Sequence, residues 1–179
     1  VKMGILVGFR MGELTAIPYS EHKQFFDKDT IQERQFSLKD KIRIVPGGSS
    51  ARNGCYLAPG VTIMPPAFIN IGAYVDSGTM VDSHALVGSC AQIGKNVHLS
   101  AGAMIGGVLE PVGSRPVIVE DDVFVGGNTG IYEGIILQSK AVIASGCIIT
   151  SSTAIYDSVN KCFLEKDGGG SFTIPTGAV

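Results

Sequence analysis

Two side chains of opposite charge suggest chemistry first. Asp82 lies in GTMVDSHA and Arg43 in IRIVPG. A carboxylate can hold an ammonium group and take its proton, and a guanidinium can grip a carboxylate through two parallel hydrogen bonds. Each also has a plainer reading. Asp76 has the same local setting as Asp82 six residues earlier, as a solvated corner would, and Arg43 could simply cover an open end. The chain has three histidines, His22, His84 and His98, of which His84 and His98 could each act as a base. The pair Gly106–Gly107, followed by Val108, would let a ligand approach the main chain closely, or would form a simple bulge. Cys55, Cys90, Cys147 and Cys162 lack the spacing of metal ligands.

A strict repeat positions these residues. From Val45 an aliphatic residue returns every sixth position to Ile105, and again from Val119 to Ile155; of these eighteen positions only Ala51 is not Val, Ile or Leu. A period of six fits neither the helical 3.6 nor the strand alternation of two. It fits a β-solenoid in which each unit is one short strand and one corner. The fifth residue of each unit is mostly compact, as Ala67, Ala73, Ala85, Ala91 and Ala103 are, which suits an inward place in a narrow coil. Cys55 and Cys147 fall at such places and read as small hydrophobes. Glycine recurs at the fourth position, where a corner needs positive φ. In this frame Asp82 is second in its unit and points outward or to a corner, His84 is fourth and His98 sixth.

The two runs are out of register by two residues, since Ile105 and Val119 are fourteen apart. Residues 111–118 (PVGSRPVI) are therefore expected to leave the coil as a loop, either a carrier of function or a harmless insertion. Residues 1–44 lack the period: VKMGILVGF reads as a strand, a turn is expected near Arg10–Glu13, and residues 20–41 as a loop or short helix. The repeat is assigned to 45–160 and a C-terminal loop and strand to 161–179, with FTIPTGAV as one further strand. A solenoid needs both ends covered and no cap is obvious here, so further chain is expected at one or both ends. The net charge of −2 and the lack of a basic stripe argue against nucleic acid. No apolar run reaches the ~18 residues of a membrane span, nor does any segment read as a signal peptide.

Residues 70–111, NIGAYVDSGTMVDSHALVGSCAQIGKNVHLSAGAMIGGVLEP, closely resemble the tetrahydrodipicolinate N-succinyltransferase family of hexapeptide-repeat acyltransferases. IRIVPG (42–47), VIVEDDVFVGG (117–127) and STAIYD (152–157) extend the resemblance. It implies an all-β fold, a left-handed parallel β-helix with three units per coil and six coils, with a small N-terminal α/β segment. It also implies a homotrimer with active sites between subunits, and a cytoplasmic enzyme of diaminopimelate and lysine biosynthesis. The implied reaction moves succinyl from succinyl-CoA to the amino group of a 2-amino-6-oxopimelate and needs no metal. An ammonium must lose a proton, an oxyanion must be stabilised, and a thiolate must leave.

By the same resemblance Asp82 matches a substrate-binding aspartate proposed to take part in catalysis, and Arg43 a substrate-binding arginine. The amides of Gly106, Gly107 and Val108 are candidate contacts for the pantetheine arm. There is one departure. Many family members carry a glutamate proposed as catalytic where this chain has Gly130; Glu133, third in its unit, is the nearest carboxylate and either shares that role or is a surface charge. Three alternatives remain. One is a related acyltransferase using acetyl-CoA or another acceptor, and another a catalytically silent scaffold. The third, a zinc site like that of γ-class carbonic anhydrases, is disfavoured because His22 lies outside the coil and His84 and His98 hold different places in it.

Overall fold

The computed structural model describes residues 1–21 and 23–179, the side chains of Tyr19 and Lys23 excepted. Three parallel six-stranded sheets wrap one core into six coils. They are named here by their first strands: the Arg43 sheet (from Arg43–Ile44), the Ser50 sheet (from Ser50–Ala51) and the Tyr56 sheet (from Tyr56–Leu57). Every strand of the coil is two residues long, the first facing out and the second in. In Met80–Val81 the methionine is half-buried and the valine is 0% exposed. The expected inward residues, among them Ile69, Val87, Leu99, Ile131 and Leu137, form one continuous core with the compact fifth-position residues. Burying each Val, Ile or Leu contributes about 1.5–3 kcal/mol, so the stack of these columns is the main stabilising element. Cys55 and Cys147 pack against it.

The fourth-position corner is left-handed, as expected: Gly54, Gly60, Gly72 and Gly78 have φ between +73° and +89°. Where glycine is missing, the backbone keeps the conformation: His84 has φ +60° and Asn96 +53°. His84 is thus an exposed corner residue whose amide donates to the Pro66 carbonyl.

Four expectations require correction. The first coil starts one residue early: Ile44, not Val45, pairs with Ile63 and points inward. An extra residue is absorbed at Gly47–Gly48, both with positive φ. The first ejected loop is 107–116, not 111–118. Val117 is fully buried and Ile118–Val119 is already a coil strand. Leu109, expected inward, packs instead beside Ile5, Ile71 and Cys90 outside the coil. The Ile155 unit does not form a rung. Residues 152–171 leave the coil, Tyr156–Asp157 and Cys162–Phe163 pair as an antiparallel hairpin, and Thr173–Ile174 returns to stack on Ile136–Leu137. The FTIPTGAV segment is the strand that closes the sixth coil.

The N-terminal reading also changes. Lys2–Met11 is an α-helix rather than a strand. A short apolar run carries both periods; here Ile5 and Phe9, four apart on one helical face, meet Ile71 and Cys90 at a coil corner. The chain reverses after Met11 at Gly12, within the expected turn. Residues 20–41, expected as a loop or short helix, begin inside an antiparallel hairpin of Leu14–Ser20 and Lys23–Lys28. They end in a 3-10 turn at Leu38–Asp40. No helix among the described residues is long and apolar enough to cross a membrane.

Candidate functional site

The Arg43 sheet presents an outward column in register: Arg43, Thr62, Met80, His98, Phe124 and Val142. Asp82 follows Val81 at the corner of this sheet, and its Oδ1 accepts from the Ser83 amide at 2.7 Å. That contact fixes the carboxyl and leaves Oδ2 facing His98, whose Nε2 is 4.0 Å away. The His98 ring stacks on Phe124 with centroids 5.2 Å apart, which holds the imidazole against the sheet. Arg43 is exposed two rungs from Met80, roughly 10 Å at about 4.8 Å per strand. Asp82, Arg43 and His98 therefore share one face.

Glu133 and the glycine pair lie elsewhere, at the corner between the Ser50 and Tyr56 sheets. There they line one cleft of about 580 Å³. Main-chain geometry narrows the expected contacts. The Gly106 amide donates to the Ile131 carbonyl and the Val108 amide to the Ser89 carbonyl. Gly107 is an exposed residue whose N–H has no partner among the described residues. Glu133 is committed: its Oε2 accepts from both the amide and the hydroxyl of Ser151. These bonds hold its carboxyl below the ordinary range. It is thus an ionised acceptor tied to the next coil.

The Gly130 departure has a physical counterpart. Gly130 is buried in its strand, and the ring of Tyr132 folds back across it. A Cβ at residue 130 would meet Tyr132 Cε2 at 2.5 Å and its hydroxyl at 2.8 Å. Tyr132 fills the volume that a side chain at 130 would take.

Arg115, from the first ejected loop, was not singled out by sequence. Its Nε donates to the Gly134 carbonyl at 2.7 Å and its Nη1 to Asp167 Oδ2 at 2.7 Å. The arginine's hydrogen bond holds the Asp167 carboxyl down at about 2, against an ordinary value of about 3.9. A depressed carboxylate favours the folded form above its unfolded value and loses that contribution as pH falls through its folded value. The stability advantage of wild type over Asp167→Asn is therefore expected to be constant above about pH 5 and to be lost progressively between about pH 5 and 1, below both values. Thermal unfolding of both proteins across that range measures it, and a gap as large at about pH 2 as at about pH 6 would contradict the assignment.

Within one chain the structure brings together two groups, Asp82 with Arg43 and Glu133 with Gly106, Gly107 and Val108, at different corners. His84 joins neither, and His22 lies outside the described residues. No three His, Cys, Asp or Glu side chains cluster as a metal site among the described residues.

The six-residue period and its six coils are those of a hexapeptide-repeat solenoid. Residues 116–151 match the family described as the hexapeptide repeat of succinyl-transferase. The chain is 49% identical over 161 residues to the 2,3,4,5-tetrahydropyridine-2,6-dicarboxylate N-succinyltransferase of Herminiimonas arsenicoxydans, covering 88% of this chain. The enzyme of the same name from Paraburkholderia phymatum is 46% identical, again across 88% of this chain, and that of Psychrobacter sp. (strain PRwf-1) is 50% identical across 87%. The chain spans 58% of the length of each of these relatives. The resemblance carried by residues 70–111 thus extends along most of the chain. Among solved structures, a hexapeptide-repeat containing acetyltransferase from Vibrio cholerae matches at a TM-score of 0.23 and 20% identity, covering 62% of this chain and 60% of that one.

Proposed function

We propose that this chain is the β-helical part of a CoA-dependent N-acyltransferase. It moves a succinyl group from succinyl-CoA to the amino group of 2-amino-6-oxopimelate, the open form of tetrahydrodipicolinate, in the cytoplasmic synthesis of diaminopimelate and lysine. The observation that carries this reading is the 45–50% identity with relatives named for that reaction. The geometry supports it with a polar face suited to an amino dicarboxylate and a glycine-lined cleft suited to a thin acyl-carrying arm.

On this reading Arg43 grips a substrate carboxylate and Asp82 holds the ammonium. Asp82 takes its proton, with His98 at 4.0 Å as a second titratable partner. The freed amine attacks the thioester carbonyl. The free N–H of Gly107 faces the developing oxyanion or the pantetheine chain, and the thiolate leaves and takes up the second proton lost by the nitrogen, giving the amide and free CoA. Because the two groups stand at different corners of one chain, a catalytic centre would take Asp82 from one subunit and the cleft from its neighbour in a homotrimer.

The test is thiol release with succinyl-CoA or acetyl-CoA as donor and L-2-aminopimelate as acceptor. Succinyl-CoA is expected to be used at least about ten times better, a difference of ~1.4 kcal/mol in transition-state binding. Preference for acetyl-CoA would favour the alternative donor. No turnover with either would overturn acyl transfer and leave the silent scaffold.

A further inference from the structure

Two segments leave the coil, 107–116 and 152–171, and one ion pair joins them. Arg115 belongs to the first and Asp167 to the second. The carboxylate is also the organiser of its own turn. Asp167 Oδ1 accepts from the Gly169 amide at 2.8 Å and Oδ2 from the Thr173 hydroxyl at 3.0 Å. The Asp167 amide donates to Ser171, and its carbonyl accepts from Gly170. Gly169 and Gly170, held in this way, line the same cleft as Gly106, Gly107 and Arg115 itself.

We infer that Arg115 and Asp167 are positioning residues: a clamp that holds the Gly169–Gly170 turn as one lip of the cleft and so shapes the seat of the acyl-CoA arm. The inference rests on the acyl-transfer reading of that cleft. The core is closed without either side chain, since neither belongs to it. Arg115 Nη2 is enclosed and has no partner among the described residues. An enclosed donor without a partner is unfavourable, so the arginine is a poor device for stability alone. The fit around it is close: a Cβ on Gly169 would come within 3.1 Å of both Arg115 Nη1 and Asp167 Oδ1. A lysine would keep the charge but could not span Gly134 and Asp167 with a planar fork.

The test compares wild type, Arg115→Ala, Arg115→Lys, Asp167→Asn and the double variant Arg115→Ala/Asp167→Asn. Steady-state kinetics are run with succinyl-CoA and L-2-aminopimelate, alongside hydrogen exchange of amides 165–171. Each single change is expected to raise the donor KM about tenfold, with kcat and the acceptor KM within about threefold, as for a lost charge-assisted contact acting on binding. Arg115→Lys gives at most partial rescue. The double variant is no worse than the worse single, because one interaction is broken in all. Exchange of 165–171 quickens in each variant while the coil strands keep their protection. An unchanged donor KM, an additive double variant, or equal losses in kcat and both KM values would overturn the clamp. A wild type that turns over no acyl-CoA would instead sink the acyl-transfer reading, and the exchange data would then judge the clamp by itself.

Discussion

Asp82→Asn is expected to lower kcat with succinyl-CoA and L-2-aminopimelate by about 10²–10⁴-fold, the range for loss of a positioned general base. The substitution is nearly isosteric. Asn Oδ1 can still accept from the Ser83 amide, as Asp82 does at 2.7 Å, so the corner should keep its shape. What disappears is the charge that holds the ammonium and the basic oxygen facing His98. The donor KM should barely move, since Asp82 is not part of the cleft. Glu133→Gln is the contrast: its carboxylate is already bound by Ser151, and the variant should keep most of its activity. Full activity in Asp82→Asn would remove Asp82 from the chemistry.

The second large effect concerns stability. Leu99 is 0% exposed and belongs to the continuous core. Leu99→Ala is expected to cost about 2–5 kcal/mol, because a two-residue strand between stacked neighbours cannot collapse into the cavity. Its strand partner in sequence, His98, faces outward. His98→Ala should change stability far less while affecting transfer, so adjacent residues report opposite roles. Chemical denaturation of both variants measures the difference. Equal costs at 98 and 99 would contradict the inward–outward alternation on which the coil depends.

The coil was legible because each inward place tolerates few residue types, and its period of six is too regular to belong to a helix or a long strand. The parts that escaped are those settled by contacts distant in sequence. The run around Ile5 could not reveal a helix, because its partners Ile71 and Cys90 lie in the coil. Leu109 kept the period but lost its place when the loop departed before it. The Ile155 position looked like a rung, yet Thr173–Ile174 fills that place. The candidate site shows the same division. Gly106–Gly107 and Glu133 were found one by one, and their shared cleft follows from the stacking of their strands. Arg115 and Asp167 stand 52 residues apart in two loops; neither has a local pattern that marks it.

The ring of Tyr132 over Gly130 ties the choice of residue at one position to the other. A larger side chain at residue 130 and an aromatic ring folded over it compete for one volume. Such a side chain would meet the ring 2.5 Å from its first carbon, so the ring must turn away to admit it. The two positions are therefore coupled, and the effects of changing residues 130 and 132 are not expected to add.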